Sequence, residues 1–229
     1  MKDKLTSIEN YRDQHGNEII NPSNSVATEA AISFGGKCNQ LTIKEGANLR
    51  KIAAEFRGSN AKISIEACRA SLIILIGSNS EISIESGTSS TGTIYMTAFE
   101  GSSISVGKDC MFAGGVQIRA DDAHPIFDIT TGKRVNRSKP VRIGDHVWLC
   151  EGAVILNGSE IGSGSIIGTR SIVKGKITNN CVAAGAPARV TRKNVAWERP
   201  HLSQEALFTT EGTLRDHDPQ EYWQPSEEG

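Results

Sequence analysis

The chain has 229 residues, of which 38% are hydrophobic and only 5% aromatic, and its formal net charge is −1. That near-neutral charge argues against a nucleic-acid-binding protein, and the longest aliphatic run, residues 72–76, is too short to span a membrane. The five cysteines are odd in number and form no C-x-x-C pair, which favours free thiols in a reducing compartment. The charged beginning of the chain lacks the apolar core of a signal peptide. We therefore expect a cytoplasmic protein without membrane insertion.

The first third of the chain has no firm period. Residues 1–40 carry turn signals, which predict an irregular N-terminal cap. Residues 41–75 contain short aliphatic pieces that predict strands, although their register wanders. A six-residue phase begins at Ile76 and continues to Ile118, with Glu100 among its poor members.

The phase breaks over residues 119–142, which are polar and have no six-residue pattern. It resumes at Ile143 out of step with Ile118. A coil that stops and resumes predicts an extruded loop. Functional residues concentrate in loops that a rigid scaffold holds.

The clearest pattern in the chain is an aliphatic residue at every sixth position: Ile143, Leu149, Ile155, Ile161, Ile167 and Val173. Mostly small residues stand four positions after each of them. This period matches neither an α-helix nor a flat strand, and it indicates a coil of short strands and tight turns. Three such units make one triangular turn, and stacked turns make a solenoid. A β-sandwich of short strands, the alternative, would not keep the phase from Ile143 to Ile177.

These residues carry a family resemblance. The stretch IGDHVWLCEGAVILNGSEIGSGSIIGTRSIVKGKI, followed by VAAGAPARV, resembles the hexapeptide-repeat acyltransferase family. The resemblance implies an all-β fold, a left-handed parallel β-helix, over residues 41–193, with residues 119–142 as the extruded loop. Residues 194–229 are acidic and contain prolines, and we expect an irregular C-terminal extension partly ordered by its tryptophans and Tyr222.

Within that family, the pattern GKDC, HPI, GKRVN and VRIGDHVWL is most similar to bacterial capsule and polysialic acid O-acetyltransferases. This similarity implies an acetyl-CoA-dependent O-acetyltransferase that modifies a sugar hydroxyl of a bacterial surface polysaccharide or its precursor, a sialic-acid polymer being one candidate. Members of the family are homotrimers in which acetyl-CoA and the carbohydrate acceptor meet between neighbouring subunits.

His124 stands in the predicted loop. Acetyl transfer to a hydroxyl needs a base near neutral pH, and histidine has a suitable pKa. A carboxylate would fix the ring, and Asp121 and Asp122 are the candidates. A surface histidine without a role is the alternative, but the resemblance implies that His124 is the catalytic histidine. His146, in a turn of the repeat, is interpreted as structural.

Trp148 falls at an outward position of the coil, where a tryptophan covers a cofactor or packs at an interface. The resemblance implies that Trp148 lines the active site and offers its indole N–H. Sugar acetyltransferases of the family carry an acceptor-binding asparagine on an earlier coil. The matching region here has Tyr95, Met96 and Thr97 instead, which argues against a simple galactoside as acceptor. Tyr95 could stack on a sugar or serve as a core or interface residue.

Residues 161–197 contain no acidic side chain but six basic ones: Arg170, Lys174, Lys176, Arg189, Arg192 and Lys193. Such a run indicates an anionic ligand, for which the phosphates of CoA are the natural match and an anionic polysaccharide is the alternative. The resemblance implies that the cofactor contacts fall on Glu151, Thr169, Lys174, Gly175, Arg189 and Arg192. Those at Glu151 and Thr169 would be made mainly by the backbone.

Other functions on the same coil remain open. A xenobiotic acetyltransferase, which modifies an antibiotic hydroxyl, shares the loop histidine and the V-W segment. A γ-type carbonic anhydrase would need three histidine ligands for zinc, and only His124 and His146 lie near the coil, so no metal is expected. A non-catalytic scaffold is the remaining alternative. Cys150 could be imagined as a nucleophile, but its place in the repeat predicts packing.

Overall fold

The computed structural model describes residues 4–23, 25–199 and 221–228. These residues form 21 strands and no helix, so none of them forms a helix that could cross a membrane. In chain order the strands are β1 (Tyr11–Arg12), β2 (Glu18–Ile20), β3 (Val26–Phe34), β4 (Gln40–Ile43), β5 (Asn48–Phe56), β6 (Lys62–Ile65), β7 (Arg69–Ile76), β8 (Glu81–Ile84), β9 (Ser89–Ala98), β10 (Ser103–Val106), β11 (Met111–Phe112), β12 (Gln117–Arg119), β13 (Val141–Ile143), β14 (Trp148–Leu149), β15 (Val154–Ile155), β16 (Glu160–Ile161), β17 (Ile166–Ile167), β18 (Ile172–Val173), β19 (Lys176–Ile177), β20 (Val182–Gly185) and β21 (Ala188–Arg192).

The strands line three walls of a coil. Wall 1 is the sheet β1-β2-β4-β6-β8-β10-β13-β16-β19, which is parallel from β2 onward. Wall 2 holds β11, β14, β17 and β20, and wall 3 holds β12, β15 and β18. The long strand β9 serves both, because its first residues pair with β11 and its last ones with β12. This is a parallel β-helix, and the predicted fold class is confirmed.

The inward face explains the six-residue phase. The aliphatic residues at every sixth position from Ile143 to Val173 are all buried, as are the residues four positions after each of them. The hydroxyls of Ser159 and Ser165 remain satisfied because they donate to backbone carbonyls of the next turn at 3.1 and 2.8 Å. At the corner, Gly164 has a φ of +72°, and a Cβ there would come within 2.6 Å of Asn180 Nδ2. The repeat therefore selects aliphatic, small and glycine residues at fixed places.

Coils of different length explain why the register wanders in the first half. Arg142 pairs with Glu160 in the next turn, and this separation along the chain is a whole multiple of six, so the phase is kept. Gln40 pairs with Lys62 in the next turn, and this longer separation is not a multiple of six. Each of the longer turns therefore shifts the pattern of buried residues.

The N-terminal segment departs from the expected irregular cap over residues 1–40. β2 pairs in parallel with β4, and β3 pairs in parallel with β5, so regular coils begin near Glu18. The turn signals there are corners of the coil: Asn39 Nδ2 donates to Asn17 Oδ1 at 2.9 Å, one turn above the other. The expectation is therefore wrong for residues 18–40, because corner residues resemble those of an irregular loop.

Two segments lie outside the stacked walls. Residues 120–140 form the extruded loop between β12 and β13, close to the predicted bounds of 119–142. The loop leaves from wall 3 and returns to wall 1, so it stands at the corner between them. Residues 194–199 and 221–228 belong to the C-terminal extension, and the rest of it, 200–220 and 229, falls outside the described residues.

Candidate active site

The extruded loop is anchored to the coil through Glu100. The Arg134 guanidinium pairs with both carboxylate oxygens of Glu100, and the N–H and hydroxyl of Ser138 donate to Oε2 at 3.2 and 2.7 Å. These hydrogen bonds, that of Arg134 first, lower the pKa of Glu100 to about 2. Glu100 is a poor member of the six-residue phase because it lies at a corner and holds the loop.

His124 is exposed on this loop, and its backbone rather than its ring is held. The His124 N–H donates to Asp122 O at 2.7 Å, and the His124 carbonyl accepts from Asn136 Nδ2 at 2.8 Å. Nothing in residues 4–23, 25–199 or 221–228 hydrogen-bonds its imidazole. The ring is therefore available to a substrate or to a second copy of the chain.

The two carboxylates that were candidates to orient this ring serve the loop instead. Asp121 is buried, and its Oδ1 accepts from the N–H of Ala123 at 2.9 Å. Asp122 accepts from Asn157 Nδ2 at 2.8 Å and from Asn136 Nδ2 at 3.1 Å. Neither carboxylate contacts the imidazole of His124 in the same chain. The expectation that Asp121 or Asp122 orients the His124 ring is therefore not met within one chain.

Trp148 lies on a different wall. It is half-buried on β14 in wall 2, and its ring packs against Trp197 at a centroid distance of 5.8 Å and an angle of 47°. In a triangular coil, wall 2 is opposite the corner between walls 3 and 1, where the loop with His124 stands. One chain therefore does not bring Trp148 and His124 together.

The candidate cofactor residues fall into three places. Glu151 and Thr169 are exposed at the corner between walls 2 and 3, where Glu151 O accepts from the N–H of Arg170 at 2.8 Å. Lys174 and Gly175 follow β18 at the loop corner, and Gly175 has a φ of +99°, which favours glycine.

The remaining two, Arg189 and Arg192, are exposed on β21, which pairs in antiparallel orientation with β20 at the end of wall 2. Among the described residues, neither has an acidic partner, and the same holds for Arg170. These three guanidinium groups therefore keep their charge available for an anion.

Sequence reasoning missed the docking of the C-terminal extension onto the corner between walls 1 and 2. The buried His146 ring stacks on Trp197 at 4.0 Å and on Tyr222 at 4.6 Å, within 12° and 5° of parallel. Its Nδ1 lies 2.7 Å from Asp109 Oδ2 and its Nε2 lies 3.0 Å from Trp197 O. Both ring nitrogens are therefore within hydrogen-bond distance of an oxygen. The structural interpretation of His146 agrees with these contacts.

Arg199 completes this docking. Its Nε donates to Asp109 Oδ1 at 2.6 Å, and its Nη2 donates to the carbonyls of Gly87, Asp109 and Cys110 at 3.0, 2.7 and 2.9 Å. His146 and Arg199 are 37 and 90 residues from Asp109 along the chain. No local spacing could have revealed such a cluster.

The sulfur of Cys150 is not prepared for nucleophilic attack. Burial raises the pKa of its thiol, which keeps the sulfur protonated near neutral pH. This agrees with a packing role for Cys150. His124 and His146 lie at different corners of the coil, so one chain does not bring them together as metal ligands.

The repeat and the fold define the class of protein. Residues 140–175 match the family model "Bacterial transferase hexapeptide (six repeats)". The chain belongs to the hexapeptide-repeat acyltransferases and is an O-acetyltransferase.

Known relatives of the chain indicate which group of O-acetyltransferases it resembles. The polysialic acid O-acetyltransferase of Neisseria meningitidis is 32% identical over 192 residues, which cover 82% of this chain and 89% of the relative. The crystallographic structure of the polysialic acid O-acetyltransferase OatWY has a TM-score of 0.72 at 28% identity and covers 86% of this chain and 93% of its own. The polySia-specific acetyltransferase NeuO has a TM-score of 0.54 at 30% identity, with 76% and 81% covered. The chain is thus similar to polysialic acid O-acetyltransferases in both sequence and fold.

Proposed function

We propose that the chain transfers the acetyl group of acetyl-CoA to a sugar hydroxyl of a sialic-acid-containing bacterial surface polysaccharide or its precursor. The observation that carries this proposal is the imidazole of His124, which is unpartnered within the described residues and stands on a loop whose backbone is anchored. The acceptor class is taken from the relatives, which are polysialic acid O-acetyltransferases.

In the proposed reaction, His124 acts as the general base. Its imidazole takes the proton of the sugar hydroxyl while the hydroxyl oxygen attacks the thioester carbonyl. The carbonyl becomes a tetrahedral oxyanion, to which the indole N–H of Trp148 donates a hydrogen bond. Collapse of this species breaks the bond to sulfur, and the leaving CoA thiolate recovers the proton from the imidazolium.

We propose a homotrimer with shared sites. The loop of His124 stands opposite wall 2, which carries Trp148, so the two side chains can meet only across an interface between copies. Cyclic symmetry repeats such an interface around the assembly. Each site would combine the loop of one subunit with wall 2 of its neighbour.

The proposed donor contacts use groups that the chain leaves free. Arg189 and Arg192 bind phosphates of acetyl-CoA, since their charge is unpaired in the described part of the chain. Lys174 retains one N–H beyond the two that it gives to Asn157. Backbone groups at Glu151, Thr169 and Gly175 complete the contact. We also propose a cytoplasmic location, which the five free cysteines favour.

The experiment is a transfer assay with acetyl-CoA and a panel of acceptors. The panel includes sialic acid oligomers, sialylated heteropolymers, neutral capsule oligosaccharides, a galactoside and a hydroxyl-bearing antibiotic. We expect mass spectrometry to show added acetyl groups on the sialylated acceptors, and NMR to identify the modified hydroxyl. Transfer to the antibiotic alone would support a xenobiotic acetyltransferase, and no transfer to any acceptor would contradict the proposal.

A further inference from the structure

We infer that Asn157 is a positioning residue for the His124 base and that it acts through Asp122 and Asn136. The inference rests on the proposed function, because it takes His124 as the base. Asn157 is buried at the turn after β15, with only 4% of its surface exposed. It therefore holds the loop from the coil side rather than contacting a substrate.

The first link joins the coil to the loop. Asn157 Nδ2 donates to Asp122 Oδ1 at 2.8 Å, across 35 residues of sequence. Asp122 is two residues before His124, and its carbonyl accepts the N–H of His124 at 2.7 Å. A shift of the Asp122 side chain would therefore be passed directly to the backbone of the base.

The second link fixes the orientation of the Asn157 amide. Lys174 Nζ donates to Asn157 O at 2.9 Å and also to Asn157 Oδ1. An ammonium group can only donate hydrogen bonds, so the amide oxygen must face Lys174. The Nδ2 donor is then left facing the Asp122 carboxylate. Lys174 thus sets which way Asn157 points, in addition to any contact with a donor phosphate.

The third link brackets His124 itself. Asn136 Nδ2 donates to Asp122 Oδ2 at 3.1 Å and to His124 O at 2.8 Å, while its Oδ1 accepts from the N–H of Ile126 at 2.7 Å. The backbone is thereby held before, at and after His124. The direction of the free imidazole is therefore set by successive hydrogen bonds from Lys174 to Asn157, from Asn157 to Asp122 and from Asn136 to His124.

Loss of the Asn157 contact would leave the loop attached but the base misplaced. The separate anchor of Arg134 and Ser138 on Glu100 holds the far end of the loop. A shift of about 1 Å in a reacting group can cost about 100-fold in rate. The expected result of removing Asn157 is therefore a fall in kcat, with the fold and donor binding retained.

The test compares Asn157→Ala with a matched control, Asn39→Ala. Asn39 is also a buried corner asparagine that bridges two turns, but it lies far from the loop and bonds Asn17 and Gly58. We expect Asn157→Ala to lower kcat about 10- to 100-fold, with KM for acetyl-CoA within about twofold. Asn39→Ala should lower the melting temperature but keep kcat. Equal losses of kcat in both variants, or no loss in Asn157→Ala, would overturn the inference.

A second pair covers the case in which Asn157→Ala fails to fold. Lys174 is exposed, so Lys174→Met should leave the fold intact, and Lys176→Met removes a similar charge from a side chain that pairs with Glu227 rather than with the loop. We expect only Lys174→Met to lower kcat at saturating acetyl-CoA. A higher KM for acetyl-CoA with unchanged kcat would overturn the positioning role. Full activity of His124→Ala would instead contradict the proposed function, so the two failures are distinguishable.

Discussion

The loop corner and the corner under the C-terminal extension hold their histidines in opposite ways. At the loop corner, hydrogen bonds fix the backbone of His124 and leave the ring exposed. At the other corner, His146 is buried, and both ring nitrogens and both ring faces are in contact with Asp109, Trp197 or Tyr222. A histidine with a fixed backbone and a free ring suits chemistry, whereas one with a fully used ring suits stability. Substitutions at the two corners should therefore separate activity from folding.

The largest expected effect on activity is that of His124→Ala. Removal of a general base lowers kcat by about 100- to 10,000-fold. The melting temperature should stay near that of the wild type, because no described residue hydrogen-bonds the ring. Steady-state kinetics and thermal melting check this expectation. Acetyl transfer within a few-fold of the wild type would contradict the assignment of the base.

Trp148→Phe comes next, because it keeps an aromatic ring and removes the indole N–H. Loss of one donor to an oxyanion costs about 100-fold in kcat. KM for acetyl-CoA should change little. Trp197→Phe is the matched control, since Trp197 gives its N–H to the carbonyl of His146 at 2.9 Å rather than to a substrate. If both variants lose the same activity, Trp148 acts only through packing.

His146→Ala should show the reverse pattern. It removes a hydrogen-bond partner of Asp109, which keeps its ion pair with Arg199, and it removes the ring that stacks on Trp197 and Tyr222. Loss of such a buried, hydrogen-bonded group costs about 3 kcal/mol in the free energy of unfolding. Denaturant titration checks the loss, and kcat measured well below the melting temperature should remain within a few-fold. A large loss of kcat in a folded His146→Ala protein would give this corner a part in catalysis.

The smallest expected effect is the loss, at acid pH, of the stability that Glu100 contributes by anchoring the loop. The pKa of Glu100 is lowered from 4.5 to about 2, so its contribution is present above pH 4.5 and is lost as the pH falls toward 2. Glu100→Gln should lower the melting temperature at neutral pH. The difference in melting temperature between this variant and the wild type should shrink as the pH falls from 4.5 toward 2. The Glu100 side chain is 42% exposed, so solvent screening keeps the effect modest. A difference that does not depend on pH would rule out the charge as its source.

The regular half of the fold could be predicted because the sequence repeats what the coil needs. The aliphatic residues from Ile143 to Val173 fall on coils whose length is a whole multiple of six, so the buried positions keep one phase. The coils that begin near Glu18 are longer and are not a multiple of six, so their buried residues show no constant phase. Without that phase, the turn signals in residues 18–40 predict a cap. The number of residues per coil therefore decides whether the repeat can be seen in the sequence, and no single strand reveals that number.

The sequence offered a candidate for the site where a residue's type, its place in the repeat and the family resemblance pointed the same way. His124 became the candidate base because it stands in the break of the repeat and because the family resemblance places the catalytic histidine there. Asn157 did not, because turn asparagines occur throughout such a coil and its partners Asp122 and Lys174 lie 35 and 17 residues away. The stacking of His146 on Trp197 joins residues 51 apart through the docked extension. Contacts set by three-dimensional stacking leave no local signal.

The most direct test of a shared active site mixes two inactive variants, His124→Ala and Trp148→Ala, at equal amounts under conditions that let subunits exchange. A shared site becomes complete when the Trp148→Ala subunit supplies the loop and the His124→Ala subunit supplies wall 2. Random assembly makes about one quarter of all sites complete. We predict that acetyl transfer recovers to about one quarter of the wild-type level. If mixed oligomers form but activity stays at that of the separate variants, His124 and Trp148 do not meet across an interface.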